Sequence, residues 1–597
     1  MSTAVEPTVS NSSTAVAALA DWIDRNRRVW FALVAVVLAL SFNGQWHLGP
    51  DSAGYRQLAH NLAAHGHYFF RNDIPGVDQY HNEQGTRYPG LPILLAGIEK
   101  LAGKSPLPPL ILMMAMAVLS LVLIYRVLLY RLPRWLVVCV VVGVGTNERF
   151  LQYANEILSD MPFLLGVLVT MLGFEWLLRA KCRVGLLKAI LCTFLGLLFA
   201  AAMRPTFLLL GAAILITCLW GILRGKVSVG SSPDTHEPAR GAVRWRSAML
   251  VGAFALATIL FVSLIDIRAR QGGFLNGGYE ERMMSKARNF DSKVEPLLSF
   301  NIGELLEDVL PMAILGYRSG WGVVPMGRHH LGFGATFSII ILISGVLLAR
   351  RNLLWGSFVA VTIGALLFAG PVPRYFLMLL PMLLVGWGLS VRWMAGKAKS
   401  PAVARFIFGF GLFFLLVSNV VASFTFVLTQ RGFTKAFDAH RHWSGIHYVG
   451  FLRAYDFGRW IGFDELGRRV HQATSPRDQL VGPDASVLTF LSDRQVYEPI
   501  LGNRTKAAGK LLNLAIFPMD TEWHQSKEEY PQELKQFLRT LHKQEGERIT
   551  TPAANYQLAR LTKLPAHRLT AAQRLEHARR MAAHRDAAAR AKAKTAP

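Results

Sequence analysis

Apolar residues run along this chain in long blocks, such as Phe31–Leu40 and Leu110–Ile124, and not in stripes one helix face wide. A helix of about 20 apolar residues crosses the hydrocarbon core of a bilayer. The pattern predicts about eleven spans, at 29–46, 106–130, 134–147, 160–179, 187–203, 206–223, 247–266, 334–349, 353–370, 374–393 and 404–428.

The polar residues between blocks set the orientation. Arg25, Arg27 and Arg28 precede the first span, and Arg126, Arg131 and Arg134 flank the turn after the second. Arg179, Lys181, Arg183 and Lys188 follow the fourth, and Arg224 to Arg246 follow the sixth. Arg350 and Arg351 follow the eighth, and Arg392 to Arg405 the tenth. Every second loop is therefore basic, which places the N-terminus in the cytoplasm and, with an odd number of spans, the C-terminal region outside.

This topology divides the chain into a cytoplasmic segment at 1–28, a transmembrane region at 29–429 and an extracytoplasmic region at 430–564. Residues 47–105 and 267–333 are long external loops. Within the first, Tyr55, Leu58, Ala59 and Leu62 share one face of a helix over 53–65, expected to lie along the membrane surface. In 430–564, amphipathic stretches alternate with strand-like runs such as Gln479–Val481 and Tyr556–Ala559, which predicts a small α/β domain. The tail at 565–597 is rich in Ala with scattered Arg, Lys and His and carries no evident chemistry. The N-terminal 20 residues lack the basic-then-apolar layout of a cleaved signal, so the first span reads as a retained anchor.

Composition agrees: 52% of the 597 residues are hydrophobic and 17% charged, where soluble proteins are about a quarter charged. Mean hydropathy is +0.30. The net charge of +25 invites a nucleic-acid partner, but the basic residues lie in short loops and the tail, where topology accounts for most of them. Cys139, Cys182, Cys192 and Cys218 lie in or beside apolar blocks without a C-x-x-C spacing, and read as small buried hydrophobes.

Candidate chemistry gathers at the external ends of the spans. Asp51 follows the first span, in His47-Leu-Gly-Pro-Asp51-Ser-Ala-Gly-Tyr55. Asn155-Glu156-Ile-Leu-Ser-Asp160-Met-Pro162 opens the fourth, and its two acids, four apart, would share a helix face if one helix ran through both. Glu148 lies close by. Arg87 before Tyr88, Arg204 in the turn between spans five and six, and Arg374 before Tyr375 lie outside, against the positive-inside trend, where a planar guanidinium suits a phosphate or carboxylate. His47, His60, His65, His67 and His81 crowd the first loop without an H-E-x-x-H spacing. No Walker loop, dinucleotide-binding glycine pattern or G-x-S-x-G is present in a fitting context.

The ordered motifs resemble the polytopic GT-C glycosyltransferases, including the dolichyl-phosphate-mannose protein mannosyltransferases and the bacterial aminoarabinose lipid A transferases. The resemblance rests on Asp51-x-x-x-Tyr55, Arg87-Tyr-Pro-Gly-Leu-Pro-Ile-Leu-Leu-Ala96, Leu158-Ser-Asp160-Met-Pro-Phe163, Met203-Arg-Pro-Thr206 and Pro373-Arg-Tyr-Phe-Leu-Met-Leu-Leu-Pro381. Phe490-Leu-Ser-Asp-Arg494 is similar to a segment of the external domain of bacterial members. The resemblance implies a bacterial inner-membrane enzyme, a hexosyl- or pentosyltransferase that moves a sugar with inversion from a polyprenyl-phosphate donor to an external lipid, glycan or protein. Asp51 would be the general base. Asp160 with Glu156 would orient the acceptor or hold a divalent cation, the one cofactor implied. Arg87, Arg204 and Arg374 would meet the donor phosphate, supported by Tyr55, Tyr88 and Tyr375. A different lipid-linked-substrate transferase or oligosaccharide ligase is the alternative. A transporter fits less well, since it would carry its polar residues at mid-membrane.

Overall fold

The computed structural model describes residues 12–42, 44, 50–66, 88–180, 182–224, 251–252, 254, 258, 343–369, 373–398, 400–424, 426–427 and 469–474, and the five strands named below. The chain divides into two compact units, residues 1–460 and 461–597.

Prolines mark where the helices of the first unit begin. Helices α1 (Ser12–Arg25) and α2 (Arg27–Ser41) are followed by α3 (Pro50–His65), α4 (Gly90–Ala102) and α5 (Leu107–Leu129). Then come α6 (Arg134–Gly145), α7 (Glu148–Ala154), α8 (Asp160–Arg179), α9 (Arg183–Met203) and α10 (Phe207–Arg224). A helical segment at 343–351, α11, precedes α12 (Leu353–Ala369), α13 (Leu380–Lys397) and α14 (Pro401–Phe413). Pro50, Pro92, Pro108, Pro109, Pro162, Pro381 and Pro401 all lie in a first turn, where a missing N–H costs no helical hydrogen bond.

Four helices are long and apolar enough to cross a membrane among the described residues: Leu107–Leu129, Asp160–Arg179, Arg183–Met203 and Pro401–Phe424. Arg134–Gly145, Phe207–Gly221 and Leu353–Leu367 are shorter apolar helices. Several expected boundaries move. The first span, expected at 29–46, is a helix from Arg27 that ends at Ser41. The fifth starts at Arg183, four residues before the expected 187, because Cys182 Sγ caps it. The tenth, expected from 374, starts at Leu380, because Pro373–Phe376 forms a 3₁₀ turn before it. The expected span at 247–266, the loop at 267–333 and the tail at 565–597 lie mainly or wholly outside the described residues.

The largest helix contact among the described residues is between α8 and α9, and small residues make it. A Cβ on Gly166 would lie 2.9 Å from Ala200 N, one on Gly173 2.5 Å from Thr193 N, and one on Gly196 2.6 Å from Thr170 N. These three contacts keep one antiparallel register. Close backbone approach through Gly, Ala and Thr is how helices pack where lipid gives no hydrophobic drive. Continued to the helix ends, the same register brings Asp160 beside Arg204.

The segment expected as the first loop, residues 47–105, holds more structure than its sequence suggested. Besides α3 it carries α4, which ends at Gly103 with φ 74°, its N–H donating to Glu99 O. Arg56, buried, reaches from α3 to the carbonyls of Lys104 (2.5 Å) and Ser105 (3.4 Å), and His60 Nδ1 lies 2.5 Å from Glu99 Oε1. Tyr55, Leu58 and Ala59 are buried on the face the periodicity gave them.

In the second unit, β1 (Gln479–Val481), β2 (Gln495–Tyr497), β3 (Leu514–Pro518), β4 (Glu547–Thr550) and β5 (Asn555–Arg560) form one sheet of order β2-β1-β3-β5-β4. Strand β1 is parallel to β2 and β3, while β5 is antiparallel to β3 and β4. The segment Phe490–Arg494 lies outside the described residues.

Candidate active site

Asp51 stands in the first turn of α3, where a carboxylate is favoured by the helix dipole. Arg374, in the 3₁₀ turn before α13, donates from Nη1 to Asp51 Oδ2 at 2.7 Å. The pair is accessible: 47% of the Asp51 side chain and 33% of that of Arg374 are exposed.

Beside it is a second acid–arginine pair that is almost closed to solvent. Arg204 Nη1 lies 2.5 Å from Asp160 Oδ1, with side chains 11% and 2% exposed. Arg204 directly follows α9 in an extended conformation, φ −155° and ψ 146°, as a residue before proline prefers. Its carboxylate partner is the first residue of α8, again at the positive end of a helix. Tyr375 links the two pairs: the guanidinium carbons of Arg204 and Arg374 lie 5.1 and 5.4 Å from its ring centroid. Tyr55 Oη is 3.0 Å from Ser159 Oγ, which ties α3 to the start of α8. Gly90 sets the depth of α4 against this corner, since a Cβ there would lie 2.7 Å from Ala202 O.

Glu156 and Asp160 do not share a helix face, contrary to the spacing argument. Helix α7 ends at Ala154 and α8 begins at Asp160, leaving Glu156 in the connection. The break has local causes. Asn155 Nδ2 donates to Leu151 O at 2.8 Å and to Ser41 Oγ at 3.4 Å, while Pro162 favours a fresh first turn. Glu156 instead accepts from Gln152 Nε2 at 2.8 Å, and Gln152 Oε1 accepts from Arg149 Nη1 at 2.7 Å. Burial pushes the Glu156 carboxyl up to about 7, opposed by the Gln152 hydrogen bond and helped by Asp160, while Arg149 opposes and Asp51 adds. The group keeps a partly exposed edge.

The structure thus brings together Asp51, Tyr55, Asp160, Arg204, Arg374 and Tyr375, and sets Glu156 within their electrostatic reach. Tyr88 is partly buried and packs against the core. Arg87, His47, His67 and His81 lie outside the described residues. Glu148 is buried in the first turn of α7. The sequence reading missed Ser159, Gln152 and Arg149. Ser159 was visible inside the motif around Asp160, but Gln152 and Arg149 acquire meaning only from the helix that Asn147 starts, its Oδ1 accepting from the N–H groups of Arg149 and Phe150.

Among the described residues, no group of three or more His, Cys, Asp or Glu is placed to hold a metal ion. A hard divalent cation takes about six or more oxygen ligands. Asp160 already gives an oxygen to Arg204, and Glu156 one to Gln152.

An apolar helical bundle with a charged corner built from α3, the α7–α8 connection, the α9–α10 turn and the turn before α13 defines an integral membrane protein of the GT-C architecture. The structure of ArnT from Cupriavidus metallidurans bound to undecaprenyl phosphate matches with TM-score 0.50 at 12% identity, over 90% of this chain and 98% of that one. The apo state of the same protein matches equally, over 91% and 98%. The Archaeoglobus fulgidus oligosaccharyltransferase carrying a tethered acceptor peptide matches with TM-score 0.45 at 11% identity, over 90% of this chain and 75% of that one. No family model and no curated protein matches by sequence.

Proposed function

We propose that this protein is a membrane glycosyltransferase that moves a sugar, with inversion, from a polyprenyl-phosphate donor to an acceptor at the external face of the membrane. The Asp51–Arg374 pair carries this reading. A carboxylate that is half exposed, oriented by an arginine and set at a helix N-terminus is placed to take a proton from an incoming hydroxyl or amine. The likeness to an ArnT bound to undecaprenyl phosphate supports the donor class.

In the proposed step, the acceptor proton passes to Asp51 as the acceptor atom attacks the anomeric carbon. The bond from that carbon to the phosphate oxygen breaks, and the polyprenyl phosphate leaves with the electron pair. Arg374 touches the base and stands beside Arg204 across Tyr375, so growing negative charge on the phosphate can draw Arg374 towards it and release Asp51 to hold its proton. Charge stabilisation of this kind is often the largest catalytic contribution. The Nε of Arg374 makes no hydrogen bond among the described residues, and neither does Thr206 Oγ1 beside Arg204, which leaves two buried polar atoms for phosphate oxygens. We assign Arg87 to the phosphate as well; Glu156 orients the acceptor, and Asp160, closed to solvent, holds Arg204 in place. No step is routed through a metal.

The same reading places the N-terminus in the cytoplasm, takes the bundle as about eleven spans and puts the second unit, as an α/β domain, outside. The test is Asp51→Asn in proteoliposomes supplied with polyprenyl-phosphate sugars. Transfer should be lost while donor binding persists, and near-normal transfer would remove Asp51 from the mechanism.

A further inference from the structure

Helix α1 precedes the first apolar block. Its side chains sort into three sectors around the helix. Ile23 and Ala20 are buried, 2% and 8% exposed, and α1 packs on α6 and α14. The next sector holds Leu19 and Trp22, 37% and 49% exposed. The sector beyond holds Arg25 and Asp21, both exposed. At 3.6 residues per turn the order around the helix is Ala20, Ile23, Leu19, Trp22, Arg25 and Asp21, so the three sectors are adjacent.

A helix with only a protein side and a water side has no use for the middle sector. A large exposed apolar strip between buried apolar and exposed charged residues is the layout of a helix lying in a bilayer interface. Two further observations say what covers the strip. The Trp22 ring meets that of Trp30 on α2 edge-on, with centroids 6.0 Å apart. Helix α2 in turn exposes Val29 (66%) and Val36 (52%), so both helices carry apolar surface that the protein leaves uncovered. Arg25 and Arg28 are exposed, and an exposed tryptophan with arginines near it in the chain suits the headgroup level. Asp24 is turned the other way, towards Arg27 at 3.3 Å and Arg134 at 3.6 Å.

We infer that α1 is an interfacial anchor: Leu19 and Trp22 enter the boundary between headgroups and acyl chains, while Arg25 and Arg28 meet anionic headgroups. This rests on the membrane-embedded fold alone, so it stands or falls independently of the proposed reaction.

The test uses the full chain in phosphatidylcholine vesicles, with and without phosphatidylglycerol. Spin labels are placed by Leu19→Cys and, separately, Asp21→Cys, with the four native cysteines replaced. The label at 19 should be reached by oxygen several-fold better than by a water-soluble nickel complex, and the label at 21 the reverse. Nickel access at 19 would put α1 in water and overturn the inference. Shielding of 19 from both reagents would mean that protein covers the strip, and would overturn it too. Should the cysteine-free chain fail to fold, brominated lipids quench the wild-type fluorescence more than that of Trp22→Phe; equal quenching overturns the proposal. Reversing Arg25 and Arg28 to Glu should lower oxygen access at 19 in phosphatidylglycerol vesicles only, and no such dependence would sink the headgroup contact.

Discussion

Helix α8 has an acid held by arginine at each end, yet the two ends are built differently. At its far end Glu175 is fully buried and accepts from Arg131 Nε at 3.0 Å, from Arg179 Nη1 and from Asn352 Nδ2 at 2.7 Å. Arg179 is itself held by Tyr130, with Nη2 donating to its carbonyl at 3.0 Å and the guanidinium 4.4 Å from its ring centroid. Three donors on one carboxylate leave little for a substrate to do. At the near end the charges are divided between a sealed pair, Asp160–Arg204, and an accessible one, Asp51–Arg374. A buried charge that is fully compensated ties elements together, here the ends of α5 and α8 to the α11–α12 junction. A charge left half open can meet a substrate. Exposure, and not residue type, distinguishes the clamp from the candidate site, since both use carboxylates and arginines.

The largest expected effect breaks the near end alone. Asp51→Asn should lower transfer by about 10²–10⁴-fold, the range for a general base, while the melting midpoint in detergent barely moves. A large loss of stability would make Asp51 part of the clamp instead. Glu175→Ala should do the opposite. It leaves two arginines uncompensated in a buried place, at a cost of about 3–5 kcal/mol, read as a lower melting midpoint; any transfer by the folded fraction should keep its donor KM. A raised KM with unchanged stability would reverse the assignment of the two ends.

Gly90→Val tests whether packing alone sets the near end. The new side chain meets the Ala202 carbonyl, so α4 or the turn at Arg204 must move, with an overpacking cost of about 1–3 kcal/mol. Transfer should fall with stability, and unchanged values of both would show that α4 does not position the site. The last effect concerns Glu156 and shows only as a change with pH. Its carboxyl is raised in the folded state from 4.5 to about 7, so between those values the folded chain holds a proton that the unfolded chain has released. Stability contributed by this group is therefore present below about pH 4.5 and lost as pH rises towards 7. Glu156→Gln should flatten that part of the stability–pH curve, and an unchanged slope would show that the group titrates normally.

The near end was readable from local motifs because each of its arms is a short segment with an unusual residue at a span end: Asp51 after the first block, Asp160 before Met161-Pro162, Arg204 before Pro205 and Arg374 before Tyr375. The far end was not. Glu175 lies in Gly173-Phe-Glu-Trp-Leu-Leu-Arg179, where a lone acid one turn from an arginine reads as an ordinary helix end. Arg131 and Arg179 were read as topology signals, and no local pattern hints that both also neutralise Glu175. The Glu156–Asp160 spacing misled for a related reason. A four-residue interval has meaning only on an unbroken helix, and Asn155 and Pro162 break this one.

By itself the chain determined where the long apolar helices lie and which unusual residues stand near their ends, because apolar block length, proline position and charge act within a few residues. Only tertiary structure decided the partners. Asp160 reaches Arg204 because glycines and threonines bring α8 and α9 to backbone contact in one register, and Asp51 meets Arg374 across 323 positions of sequence. Such pairings follow from packing summed over whole helices, which no single motif contains. That sum left Asp51 accessible and shut Asp160 away.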